Sequence, residues 1–133
     1  MIETHVLTGT TDGSGDSTAT TVRPVIGEVL YVEVDGAALT DSANLVLQPV
    51  VTNLAGSTEL GESIINHTDI GNATIDRLYP RRFAQDNAGA DLTVATSTKV
   101  AVPYFVPGVY LRATVSAGGA TKDWRVKVFV RRD

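Results

Sequence analysis

Apolar residues in this chain recur mainly at every second position, the spacing of a half-buried β-strand. No long segment carries a clean 3.6-residue apolar period, so helices are not expected. In residues 25–35, Ile26, Leu30, Val32 and Val34 fall on one face and Val25, Val29 and Tyr31 on the other. Apolar side chains on both faces predict a central strand, or one covered by a second layer or a neighbouring subunit. Near the C-terminus, residues 109–117 and 120–130 flank Gly118-Gly119, a dipeptide suited to a type I′ turn. The spacing predicts a hairpin that sets Trp124 against Ala113, Val126 against Leu111 and Val128 against Val109. Its reverse face would pair Tyr110 with Lys127, Arg112 with Arg125 and Thr114 with Asp123.

Further strands are expected at residues 2–7, 18–23, 43–51, 74–84 and 99–106. Pro49, Pro80 and Pro103 interrupt the last three, and Pro49 assigns the far end of its strand to an edge or bulge. Residues 9–17, 53–63 and 86–91 are rich in Gly, Ser, Asn and Asp and predict loops, the first of them exposed and mobile. Residues 64–75 fit either a short helix or an extra strand. About eight short strands at roughly twelve-residue spacing predict an all-β, single-domain sandwich over 1–133, jelly-roll-like or Greek-key. Residues 1–17 are a candidate N-terminal arm and loop.

Charge changes this picture more than composition does. Residues 1–72 hold ten acids against Arg23 alone, whereas residues 73–133 hold ten bases against five acids, giving −9 and +5. Such poles are either neutralised inside the fold or offered to neighbours. The expected Arg112–Arg125 opposition, extended by Lys127 and Arg131, makes a basic stripe, and like charges opposed on a sheet cost about 0.2–1 kcal/mol. Glu28, Glu33 and Asp35 are the candidate acids to cover it, from the same chain or from another copy. Ile2, Thr4 and Val6 form a second candidate interface, because an alternating N-terminal strand can add to a partner sheet; its bland reading is an ordinary edge strand of its own sandwich. Arg81 and Arg82, set between Tyr79 and Phe83, form a third; their bland reading is a strand that meets acids of the other half.

No constellation points to catalysis. Cysteine is absent, which removes disulfides and thiolate chemistry. Asp12 and Asp16 in DGSGD suggest calcium but lack the further oxygen ligands of a calcium loop, so no metal or cofactor is expected. Ser63, His67 and Asp69 have no nucleophile-turn or oxyanion motif beside them. Neither a signal-peptide pattern nor an apolar run of membrane-spanning length is present, so a soluble protein made in a cytoplasm is expected.

The segments TGTTDGSGDSTAT, at residues 8–20, and SAGGATK leading into WRVKVFV, at residues 116–130, resemble small β-rich virion proteins of tailed bacteriophages. In size and texture the chain is most similar to capsid decoration (cement) proteins. That resemblance implies a non-enzymatic sandwich on the capsid surface that bridges major capsid subunits and pairs with copies of itself, as a dimer or trimer. It implies no small-molecule substrate, nucleic acid or membrane partner. A tail, neck or baseplate protein, or a glycan-binding adhesion module, is the alternative.

Overall fold

The computed structural model describes residues 1–71, 75–83, 88, 90, 93–94, 98–99 and 101–132. Among them the chain is all-β: β1 (Ile2–Thr10), β2 (Ser17–Thr20), β3 (Val25–Asp35), β4 (Asn44–Val50), β5 (Ile65–His67), β6 (Ile75–Leu78), β7 (Arg81–Phe83), β8 (Thr93–Val94), β9 (Thr98–Lys99), β10 (Ala101–Ser116) and β11 (Asp123–Arg131). Nine of these strands form one antiparallel network, while β8 and β9 pair separately. The turn expected at 86–91 lies largely outside the described residues. So does the 72–74 end of the ambiguous stretch, whose described part holds β5 and irregular chain.

The network makes two layers because β10 belongs to both. Residues 104–109 of β10 run beside β3, in the layer β1–β11–β3, which β6 extends. Residues 110–116 run between β2 and β4, in the layer β2–β10–β4–β5. One apolar cluster joins them, with Leu7, Val29, Val32, Val126 and Val128 from the first layer against Leu45, Leu47, Leu111, Ala113 and Val115 from the second. Burying such side chains is worth about 1.5–3 kcal/mol each, so the cluster dominates stability.

Two bulges reconcile the apolar pattern with a single core. In β3 the register with β11 shifts around Leu30, so Val25 and Val29 and then Val32 and Val34 all point inward. In β10 the register with β3 shifts at Gly108 (φ +90°), which moves the buried positions from Val106 to Leu111, Ala113 and Val115. The strand thus continues through Pro103 and Pro107, where two separate strands were expected. Pro49 is likewise tolerated inside β4. Its partner Leu111 spends its main-chain groups on Thr21, so that register position requires no N–H from Pro49.

The C-terminal hairpin is the main correction. Both strands exist and their inward faces are as expected, but β10 does not pair with β11. Residues 117–122 carry β10 over into the opposite layer, with positive φ at Ala117, Gly119 and Thr121. Leu111, Ala113 and Val115 therefore meet Val126 and Val128 across the core, and Arg112 is not opposite Arg125. Residues 9–17, expected as an exposed connection, close over this crossing and bury Thr11 and Gly15. Thr11 Oγ1 donates to the Gly119 carbonyl and accepts from Lys122 N at 2.8 Å, and Gly118 N donates to the Gly15 carbonyl at 2.9 Å.

Candidate interface

The outer face of the β1–β11–β3–β6 layer holds most of the residues singled out as interface candidates. The register sets them in rows: Ile2, Arg131, Glu28 and Phe105; Thr4, Phe129 and Tyr31; Val6, Lys127, Glu33 and Arg77; Thr8, Arg125, Asp35 and Ile75. The bases of β11 thus lie beside the acids of β3 within one molecule. Arg131 pairs with Glu28, Arg125 Nη2 stands 3.8 Å from Asp35 Oδ2, and Arg77 Nε stands 3.9 Å from Glu33 Oε2. Exposed pairs of this kind contribute only about 0–1 kcal/mol each, so the ladder adds little stability. It gives Arg125 and Arg131 of the basic stripe carboxylate partners within one molecule.

Arg112 belongs to the other layer. Its guanidinium reaches Glu59 Oε1 at 2.9 Å, the Ser57 carbonyl at 3.1 Å and Gln48 Oε1 at 3.4 Å. It ties the loop after β4 down over the sheet, and Leu60 N completes the tie by donating to the Pro49 carbonyl at 2.8 Å. Arg81 Nη1 donates to the Pro80 carbonyl at 2.8 Å, and Arg82 stands in β7 opposite Val102. Neither joins the ladder. Arg77 and Glu59 are charge partners that sequence reasoning missed: strand register sets Arg77 opposite Glu33, and the loop after β4 carries Glu59 to Arg112.

The margin of β1 is different in kind. Met1 and Arg132 exchange both main-chain hydrogen bonds, at 2.8 and 2.9 Å, and Thr11 N bonds to the Lys122 carbonyl at the other end. Antiparallel alternation then directs the main-chain groups of Glu3, His5, Leu7 and Gly9 toward β11, and those of Ile2, Thr4, Val6, Thr8 and Thr10 outward. Among the described residues nothing pairs with this outer edge. The side chains on its surface side are uncharged, with Ile2 61% and Val6 50% exposed.

His5 faces inward from β1, buried, with Glu3 Oε2 3.4 Å from its Nε2. Desolvation, followed by the charge of Arg23, lowers its pKa, and Glu3 only partly offsets this. The folded chain therefore resists protonation at a pH where the unfolded chain accepts it. Stability contributed by neutral His5 is complete above about pH 6.5 and falls as pH drops toward the depressed folded pKa. Urea midpoints are expected to decline from pH 7.5 to 5.5, and a His5→Leu variant to lose most of that decline.

Among the described residues no catalytic arrangement accompanies these surfaces. Asp12 Oδ1 accepts from Ser14 N at 2.8 Å and Asp16 N at 3.0 Å, which lowers its pKa and ties it to its own turn. Ser63, His67 and Asp69 share no hydrogen bond, and no three acids or histidines cluster among the described residues. An open cleft of ≈ 310 Å³ lies between Asp35, Ala37, Ala38, Asp123, Trp124 and Arg125. Its charges are already engaged, Arg125 with Asp35 and Asp123 with Thr10 Oγ1 at 2.6 Å.

No protein-family model and no curated protein matches the chain. Solved structures resemble it weakly. A chain from the Gx strain of infectious bursal disease virus matches at 10% identity and TM-score 0.36, over 98% of this chain and 32% of that one. A mutant VP2 protein of the same virus matches at 9% identity and TM-score 0.33, over 98% and 32%. Its VP2 subviral particle matches at 7% identity and TM-score 0.27, over 98% and 33%. The chain thus spans about a third of the length of the viral chains it is similar to.

Proposed function

We propose that this chain is a non-enzymatic structural protein of a virion, a capsid decoration (cement) protein of a tailed bacteriophage. It binds major capsid subunits and copies of itself on the capsid surface. The observation that carries this reading is the margin of β1, where five residues direct main-chain groups outward from a long, uncharged edge that nothing pairs with among the described residues. Strand addition at such an edge gives affinity through main-chain bonds and needs no reactive group. The Arg125–Asp35, Arg131–Glu28 and Arg77–Glu33 pairs within one molecule fit a building block whose charges are set before assembly. Heads prepared without the chain are expected to bind it to saturation and to release their genome at a higher temperature once decorated. Absence of binding to heads, or recovery of the chain with tails, neck or baseplate instead, rejects the decoration role.

A second reading, a glycan-binding module, draws on the aromatics outside the core. Tyr79 and Phe105 are 61% and 58% exposed, beside a stacked Tyr31–Phe129 pair with centroids 4.3 Å apart. Because Tyr31 and Phe129 spend their ring faces on each other, the platform left for a sugar is small. A specific glycan-array signal lost in Tyr79→Ala favours this reading over the first.

A further inference from the structure

We infer that the occupant of the β1 margin is a second copy of β1, paired antiparallel about a two-fold axis through Val6; this rests on the strand-addition reading above and names its partner. The other margins of the layers, among the described residues, are the three- or four-residue β2, β5, β6 and β7 and residues 104–109 of β10, which Pro107 and the bulge at Gly108 interrupt. Short edges resist pairing, whereas β1 offers nine residues in unbroken register with β11, with no proline, lysine or bulge to blunt it. Side-chain chemistry selects the orientation. Asp12, Asp16 and Asp123 gather at the Thr10 end with Lys122, and Arg131 and Arg132 at the Ile2 end with Glu28 and Glu3. Parallel pairing would stack the acidic ends on each other; antiparallel pairing sets each against the balanced end of its partner.

The outward main-chain groups select the register. They sit on even-numbered residues, so even must face even, and full overlap sets Val6 opposite the partner's Val6, Thr4 opposite the partner's Thr8 and Ile2 opposite the partner's Thr10. This register forms about ten main-chain hydrogen bonds, opposes no like charges and covers the exposed Val6 side chains with each other.

The chain has no cysteine, so single cysteines read the register directly. At the axis the two Cα atoms would lie about 5.5 Å apart, within disulfide range. The two copies of Thr4 would be about 15 Å apart, beyond it. Val6→Cys is expected to cross-link nearly completely under mild oxidation, and Thr4→Cys at least tenfold less. Sedimentation equilibrium of the unmodified protein is expected to give twice the monomer mass at micromolar concentration. Val6→Pro and Val6→Lys, which leave the bonds to β11 in place, are expected to give the monomer with unchanged circular dichroism. A monomeric wild type overturns the inference, as does equal cross-linking of both cysteine variants or a dimer indifferent to both Val6 substitutions. A wild-type monomer that still saturates heads sinks the dimer and leaves the decoration role standing; a β1 dimer that never binds heads does the reverse.

Discussion

Gly27→Ala is expected to destabilise the fold by about 3 kcal/mol or more, enough to unfold a large share of a marginally stable domain. Gly27 lies in β3 at φ +135°, a conformation that L side chains rarely adopt. A Cβ there would stand 2.4 Å from the Arg131 carbonyl oxygen and 2.7 Å from Val130 Cγ1. The obstacle is backbone of the neighbouring strand, so relief requires β11 to move off β3, and Val130 is part of the core. Gly13→Ala is the control, because a Cβ at Gly13 meets nothing within 4 Å. It is expected to fall within about 0.5 kcal/mol of the parent. Urea denaturation followed by circular dichroism separates the two, and equal midpoints would refute the packing described around Gly27.

Trp124→Ala is expected to cost about 3–5 kcal/mol, the range for an excavated aromatic core position. Trp124 is only 4% exposed, and its ring lies against Gly9, where an added Cβ would stand 2.8 Å from Cζ2. The informative companion is Trp124→Phe. The indole Nε1 is buried with no hydrogen-bond partner, so phenylalanine forfeits ring volume but no hydrogen bond. Its cost is expected to be less than half that of alanine in the same denaturation experiment. Equal costs would mean that the nitrogen has a stabilising partner after all.

The inward faces of β11 and of the second half of β10 were legible from alternation alone, as Leu111, Ala113, Val115, Trp124, Val126 and Val128 demonstrate. Their pairing was not. Gly118-Gly119 carries the local signature of a tight hairpin, yet the connection also uses positive φ at Ala117 and Thr121, which no residue preference announces. Whether neighbouring strands pair or face each other across a core depends on competition with β3, β4 and β2 for the same edges. A local pattern does not encode that competition. The bulge at Leu30 escaped notice for a related reason, since one extra residue reverses the faces beyond it and mimics a strand that is apolar on both sides. The charge halves were visible as complementary; in the fold Glu28 and Asp35 pair with Arg131 and Arg125 of the stripe, whereas Glu33 meets Arg77. Arg112 was set on the wrong surface because its position followed from the hairpin. The free edge of β1 could be suspected from its alternation, but only the topology identifies it as the long margin.

The topology also has a kinetic consequence. Among the described residues, apart from β4 with β5 and β8 with β9, no strand pairs with its neighbour in the chain, and β1 waits for β11. Such a sandwich cannot zip up from local turns. It must bring distant segments together before most main-chain bonds reward the lost entropy, which places folding in the slow, millisecond-to-second class. Until β11 arrives, β1 is bare on both sides, so crowded refolding favours misassociation through the first strand over the native closure.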